Sequence, residues 1–290
     1  RDTFAEASAA LGFDLWQIAQ SGEGLDQTEN TQPVLLTASI ALWRVWLELG
    51  GIAPKYLAGH SLGEYSALVA AEAMTLADAV KLVHLRGKLM QSAVPQGTGA
   101  MAAILGLADE KVIELCQKVN ASAAGQGSVE AANYNAQGQV VIAGSTALVQ
   151  QVMAEAKEQS GKAIALPVSV PSHCTLMKPA AEKFAEALEQ TAIELPHLPV
   201  IQNVNAEIAT DVAQLRQALT AQLYQSVQWT RTMQYLQNEG VQYVVECGPG
   251  TVLSNLAKRL PNIEKAFAID SKARMEDALN AVLVAEGKIA

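Results

Sequence analysis

Residues 59–63 read Gly59-His60-Ser61-Leu62-Gly63 and fit the pattern G-x-S-x-G. In that pattern a serine sits on a strained strand-to-helix turn with its hydroxyl pushed clear of the sheet, where it can act as a nucleophile. The match alone is weak, because a serine between two glycines also arises by chance, and its setting has to decide. Lys55 to Gly59 reads as a short apolar strand, and LGEYSALVAAEA after Ser61 is rich in helix formers. The motif therefore lies between a strand and a helix, the setting a nucleophilic serine requires.

A serine nucleophile needs a base, and the chain has four histidines. His60 adjoins Ser61 on a tight turn, a placement that points it away from the hydroxyl. His84 lies within a helix and His197 in a proline-flanked loop, and no pattern supports either. His173 lies in PVSVPSHCTLM, between a strand and a helix, in a loop stiffened by Pro167 and Pro171. Position alone leaves it two roles, a base or a cap for the helix that follows. Arg86 is the other unusual residue. Ala79, Leu82, Val83, Met90 and Ala93 stand three, four or seven positions from it, so it projects from the middle of an apolar stripe. A buried guanidinium must be paired. No acid shares the stripe, so its partner is either a structural acid elsewhere in the fold or the carboxylate of a ligand. Glu64, on the first turn after the elbow, reads as a companion of the positive helix end rather than a catalytic acid. Gly248-Pro249-Gly250 lacks the lysine and glycine spacing of a P-loop and reads as a tight strand-to-helix turn.

The elements that must position these residues follow from the rest of the chain. At 290 residues, with half of them hydrophobic and 17% charged, the chain is long enough for one large or two modest globular domains. A net charge of −9 and the absence of any Lys/Arg-rich run argue against nucleic-acid binding. Cys116, Cys174 and Cys247 are scattered without metal-ligand spacing, which predicts a reducing cytoplasmic setting, no disulfide framework and no metal site. No apolar run approaches the ~18 residues of a membrane span. A helix is predicted over 33–50, and Thr75 to Asp78 reads as a capping box opening a helix that runs to about Ala93. From Gly99 the pattern becomes strand-helix-strand-strand-helix-strand, which predicts a ferredoxin-like domain inserted at 95–167 between the two parts of a larger domain, 1–94 and 168–290. In the larger part strands alternate with helices, which predicts a mainly parallel sheet.

GHSLGEYSAL, HLRGKLMQ, VPSHCTLMKPA, QLYQSVQW and ECGPGTVL, in this order, resemble the bacterial malonyl-CoA:acyl carrier protein transacylases over nearly the whole chain. The resemblance implies an α/β-hydrolase-like large domain with a ferredoxin-like insert. It implies that Ser61 carries the malonyl group as an ester, that His173 is its general base, and that the backbone carbonyl of Gln222 holds the other imidazole nitrogen. It further implies that the Leu62 N–H is an oxyanion donor, that Arg86 binds the free malonyl carboxylate, and that Gln32 lines the pocket. Asn133 and Asn135 match positions near the substrate channel. The implied partners are malonyl-CoA and acyl carrier protein, with no nucleic acid, no membrane and no cofactor beyond the coenzyme A thioester, which is a substrate.

One departure stands out. The family begins with a strand ending in a GQGSQ loop whose last glutamine N–H is a second oxyanion donor, and nothing here resembles it. A chain without that donor is expected to be a poor catalyst, since one such group is worth roughly 2.7–4 kcal/mol. Two rival functions compete with the transferase of fatty-acid synthesis. An α/β-hydrolase esterase places its histidine late in the chain, after the acid, whereas here the candidate is His173, and a pocket arginine suits a dicarboxylic acyl group better than a neutral ester. The second rival is a non-catalytic carrier-protein-binding module.

Overall fold

The computed structural model describes residues 1–168 and 170–288, a mixed α/β chain that divides into two compact units. The first comprises Arg1–His84, Ala192–Ile201 and Met233–Ala290, and the second Leu85–Thr191 and Gln202–Thr232.

The first unit opens with α1 (Asp2–Leu11) and α2 (Leu15–Ser21), the latter capped by the Asp14 carboxylate, which accepts from the Gln17 N–H. Helix α3 (Thr28–Glu48) starts ahead of Pro33, where the sequence pattern had placed its beginning. Proline fits the first turn of a helix because it has no N–H to donate. Further in, it leaves the carbonyl of residue 29 without its usual donor. Nδ1 of His84 takes that place, 2.8 Å from the Glu29 oxygen, with the Phe13 ring tilted against the imidazole. Strand β1 (Leu57–Ala58) leads through the Ser61 turn into α4 (Gly63–Ala70), and α5 (Leu76–Ser92) follows, its residues from Leu85 onward belonging to the second unit. The Asp78 N–H donates to Thr75 Oγ1 at 3.0 Å, and that hydroxyl donates to the Asp78 carboxylate at 2.7 Å, so the start of α5 is fixed as the capping pattern predicts.

In the second unit β2 (Gly99–Leu105), α6 (Asp109–Ser122), β3 (Val129–Ala136), β4 (Gln139–Ser145), α7 (Thr146–Glu158) and β5 (Lys162–Ala165) succeed one another in the order read from the sequence. The strands form one antiparallel sheet in the order β3-β4-β2-β5. Because side chains alternate along a strand, Ala102, Ile104, Val140 and Ile142 share the face that packs on Val112, Leu115 and Val119 of α6 and on Val149 and Val152 of α7. The opposite face packs Met101, Val141 and Ala143 with Cys174. A short 3₁₀ turn (Thr175–Met177) then leads into α8 (Lys178–Gln190), and α9 (Val212–Ala221) follows; of α10 (Trp229–Asn238) only the residues up to Thr232 belong to this unit. The outer edge of β3, bulged between Ala131 and Asn133, is closed by the segment after α9. The Tyr134 N–H donates to the Val227 carbonyl and the Val227 N–H to the Ala132 carbonyl, both at 2.9 Å.

The remainder of the first unit supplies β6 (Val200–Ile201), parallel to β1, and the parallel pair β7 (Tyr243–Glu246) and β8 (Lys265–Ala268). Helix α11 (Val252–Ala257) lies between that pair in sequence and α12 (Lys272–Ala285) comes after it. Trp46 of α3 packs with Ile269 and with Met275, Ala278 and Leu279 of α12. The Glu246 carboxylate accepts from the Leu253 and Ser254 N–H groups at 3.0 and 2.8 Å. The amides a phosphate would need at the start of α11 are therefore occupied, and Gly248–Gly250 serves as the turn that reaches them.

Candidate active site

The first unit builds the elbow. Between β1 and α4 the chain reverses within a few residues: the Gly63 N–H donates to the His60 carbonyl at 2.9 Å, Glu64 to Ser61 at 3.1 Å and Tyr65 to Leu62 at 3.0 Å. The turn is so tight that a Cβ on Gly59 would lie 1.9 Å from the carbonyl carbon and oxygen of Gly63. Ser61 has φ +52°, in the left-handed region that non-glycine residues occupy at a cost. Such strain is not unique to it, since Glu72, Ala124, Ser160 and Ala206 share it, but here it falls on the residue that the motif singles out. Leu62 stands at the N-cap of α4, among the amides that the helix itself cannot pair and that carry its positive end. Glu64 is buried in the first turn of α4, and Gln32 is buried on α3.

The second unit holds the other candidate residues. Helix α9 is fixed at its start by Asp211, whose carboxylate accepts from the Gln214 N–H at 2.8 Å. It ends at Gln222, its C-cap, where carbonyls run out of intrahelical donors. Two successive carbonyls beyond that end hold one residue. The Leu223 oxygen accepts the backbone N–H of His173 at 3.0 Å, and the Gln222 oxygen lies 2.6 Å from Nδ1 of its ring. A carbonyl can only accept, so Nδ1 carries the hydrogen and Nε2 keeps the lone pair of a base. The partial negative charge of the helix C-terminus stabilises an imidazolium once one forms, the service an acid performs in a Ser-His-Asp triad. His173 is itself held at φ +62°. Nδ1 of His173 meets the end of α9, and the Thr175 N–H that opens the 3₁₀ turn donates to the Glu130 carboxylate at 3.2–3.3 Å.

The same Gln222 reaches a third group. Its side-chain oxygen accepts from Nη2 of Arg86 at 2.9 Å. Arg86, His173 and Gln222 are 1%, 3% and 0% exposed, so the hydrogen-bonded series runs through the protein interior. Asn133, on the bulged part of β3, is buried, and Asn135 lies on the same strand.

His84 serves Pro33, and His197 pairs with Glu72 at 3.0 Å on the surface. Burial pushes the thiols of Cys116, Cys174 and Cys247 up to about 12, so Cys174, although next to His173, is no rival nucleophile near neutral pH. Among the described residues no group of three His, Cys, Asp or Glu side chains could hold a metal ion, and no helix is long and apolar enough to cross a membrane. A surface groove of about 400 Å³ in the second unit lies among Glu130, Thr175, Lys178, Tyr224, Ser226 and Gln228. Thr175 and Lys178 lie within VPSHCTLMKPA and Tyr224, Ser226 and Gln228 within QLYQSVQW, but sequence reasoning gave them no role of their own.

The chain matches the acyl transferase domain family over residues 3–274. It is 51% identical to the malonyl CoA-acyl carrier protein transacylase of Salmonella typhimurium over 281 residues, covering 96% of this chain and 90% of that protein. The crystal structure of FabD from Acinetobacter baumannii is 88% identical, with a TM-score of 0.96 over 98% of this chain and 90% of that one. A malonyl-transacylase solved in complex with its type II PKS acyl-carrier protein is 47% identical, with a TM-score of 0.93 over 97% and 90% of the two chains.

Proposed function

The chain belongs to the acyl transferase family, among its malonyl CoA-acyl carrier protein transacylases, and from that premise we propose that it moves malonyl from coenzyme A to acyl carrier protein in cytoplasmic fatty-acid synthesis. The observation that carries this reading is Arg86, buried and bonded to the residue that holds the base. A cation in that position suits an acyl group that ends in a carboxylate, which malonyl has and the acyl groups of ordinary esters lack.

The chemistry runs in two halves, with Ser61 as the carrier. Oγ of Ser61 attacks the thioester carbonyl of malonyl-CoA while Nε2 of His173 takes its proton. The Leu62 N–H faces the oxyanion of the tetrahedral intermediate. As the C–S bond breaks, His173 returns the proton to the departing coenzyme A sulfur. In the second half the carrier protein's phosphopantetheine thiol gives its proton to His173 and attacks the malonyl ester, and Ser61 leaves with that proton. Throughout, Arg86 holds the free carboxylate and Gln32 borders the acyl pocket. No cofactor enters either half. Asn133 and Asn135 border the channel, and the parallel pairs β1–β6 and β7–β8 together with the βαββαβ sheet support an α/β-hydrolase-like domain with a ferredoxin-like insert at 95–167.

Intact-mass measurement after incubation with malonyl-CoA tests the reading. One added malonyl group that disappears in Ser61→Ala is the expected result. Release of free malonate without a stable adduct would mean an esterase. No change in mass and no malonate would mean a binding module.

A further inference from the structure

Gln222 enters the mechanism above only through its backbone carbonyl, which any residue at that position would supply. Its side chain is nonetheless fully buried and spends its oxygen on Arg86 at 2.9 Å. Amide and guanidinium could have been matched differently. A carboxylate at position 222 would make the shorter, charge-assisted contact, but it would also neutralise the arginine. An amide fixes the guanidinium by one hydrogen bond and adds no charge, so this contact takes nothing from the cation's attraction for an incoming anion. We infer that the Gln222 side chain is a positioning and specificity-determining residue: it aims Arg86 at the acyl carboxylate without adding a negative charge beside it, and so sets the preference for malonyl over uncharged acyl groups.

The geometry adds a second consequence. The arginine and the imidazole are bonded to the side chain and the backbone of one residue at the end of one helix. A carboxylate seated on Arg86 is thereby registered against the base with no loop or long side chain intervening. That is the precision a near-attack geometry demands.

This inference rests on the malonyl-transfer reading, and the experiment separates the two. Ser61 loading from malonyl-CoA and from acetyl-CoA is followed by intact mass and initial rate for the wild type, Gln222→Glu and Gln222→Met, each with a melting curve. If the wild type fails to load malonyl, the transfer reading itself fails. If it loads, Gln222→Glu is expected to lower the ratio of malonyl to acetyl kcat/KM by at least about tenfold, the weight of one hydrogen bond to a charged group, with malonyl KM rising and acetyl KM not. Gln222→Met, which removes the acceptor without adding charge, should lower the same ratio by less than Gln222→Glu. A merely structural glutamine would depress both substrates together. An unchanged ratio in a folded variant overturns the inference, and so does failure of both variants to fold, since the amide would then be a packing contact.

Discussion

At the scale of single residues, the decisive test is Arg86. Truncating one side of a buried charged pair costs about 2–5 kcal/mol, so Arg86→Ala should reduce malonyl loading steeply. Acetyl-CoA offers no carboxylate and has to leave the guanidinium without that partner, so its loading should hold or improve and the substrate preference should invert. Parallel loading assays with the two thioesters decide it, read beside a melting curve. An equal loss on both, with a lowered melting point, would make Arg86 a structural arginine. The residue types alone had left that choice open, and they had left His173 between base and cap. The geometry around α9 bears on both choices, through contacts that come from positions 49 and 136 residues away in the chain.

Among elements, the elbow makes the sharper forecast. A methyl at position 59 would collide with backbone that cannot step aside, whereas a methyl at position 63 meets nothing within 4 Å. Gly59→Ala should therefore lower the melting point and abolish Ser61 acylation, with an overpacking cost of about 1–3 kcal/mol or more. Gly63→Ala should melt as the wild type does. Equal melting of the two variants would show that the turn relaxes more easily than its backbone contacts suggest. The elements with local signals were readable in advance: the capped start at Thr75, and the strand and helix periods from Gly99 to Ala165. The beginning of α3 was not, since Pro33 looks like a first-turn proline and the donor that rescues the Glu29 carbonyl sits on another helix. Strands β1 and β6 pair over only two residues each, shorter than their apolar runs imply, because pairing depends on a neighbour the local pattern does not contain. The carbonyl of Gln222 carries no residue-type signature, and only the family resemblance pointed to it.

For the whole molecule, charge and burial govern what can be measured from outside. The chain is at −9, so a carrier protein of like charge would need a local basic patch. Lys272 and Arg274 lie near Glu276 and Asp270 at 3.7 and 2.7 Å, which spends much of their attraction within the chain. Lys258 and Arg259 are exposed just past α11. Reversing that pair to glutamate should weaken transfer to the carrier protein, most at low salt, and leave loading from malonyl-CoA unchanged; equal loss in both halves would count against docking there. The thiols give an independent readout of global integrity. With their pKa values raised to about 12, Cys116 and Cys174 form thiolate only as the pH climbs toward that value, so an alkylating reagent at pH 8 should label these buried sites only in step with unfolding. Labelling of either in the folded protein would reveal local opening. The imidazole of His173, finally, is oriented by a main-chain oxygen at the end of a helix, and this has a genetic corollary. Every sense codon at position 222 still encodes that oxygen, so a saturation library there, proline aside because it would also remove the N–H bonded to Ala218, will report on the side chain alone. The lesion that would remove it is an indel. Deleting one residue within α9 turns its last carbonyl by about 100°, and selection would register the loss there, as intolerance to frame-preserving deletions even at the exposed positions of α9, Ala213, Gln214 and Gln217, where substitutions are tolerated.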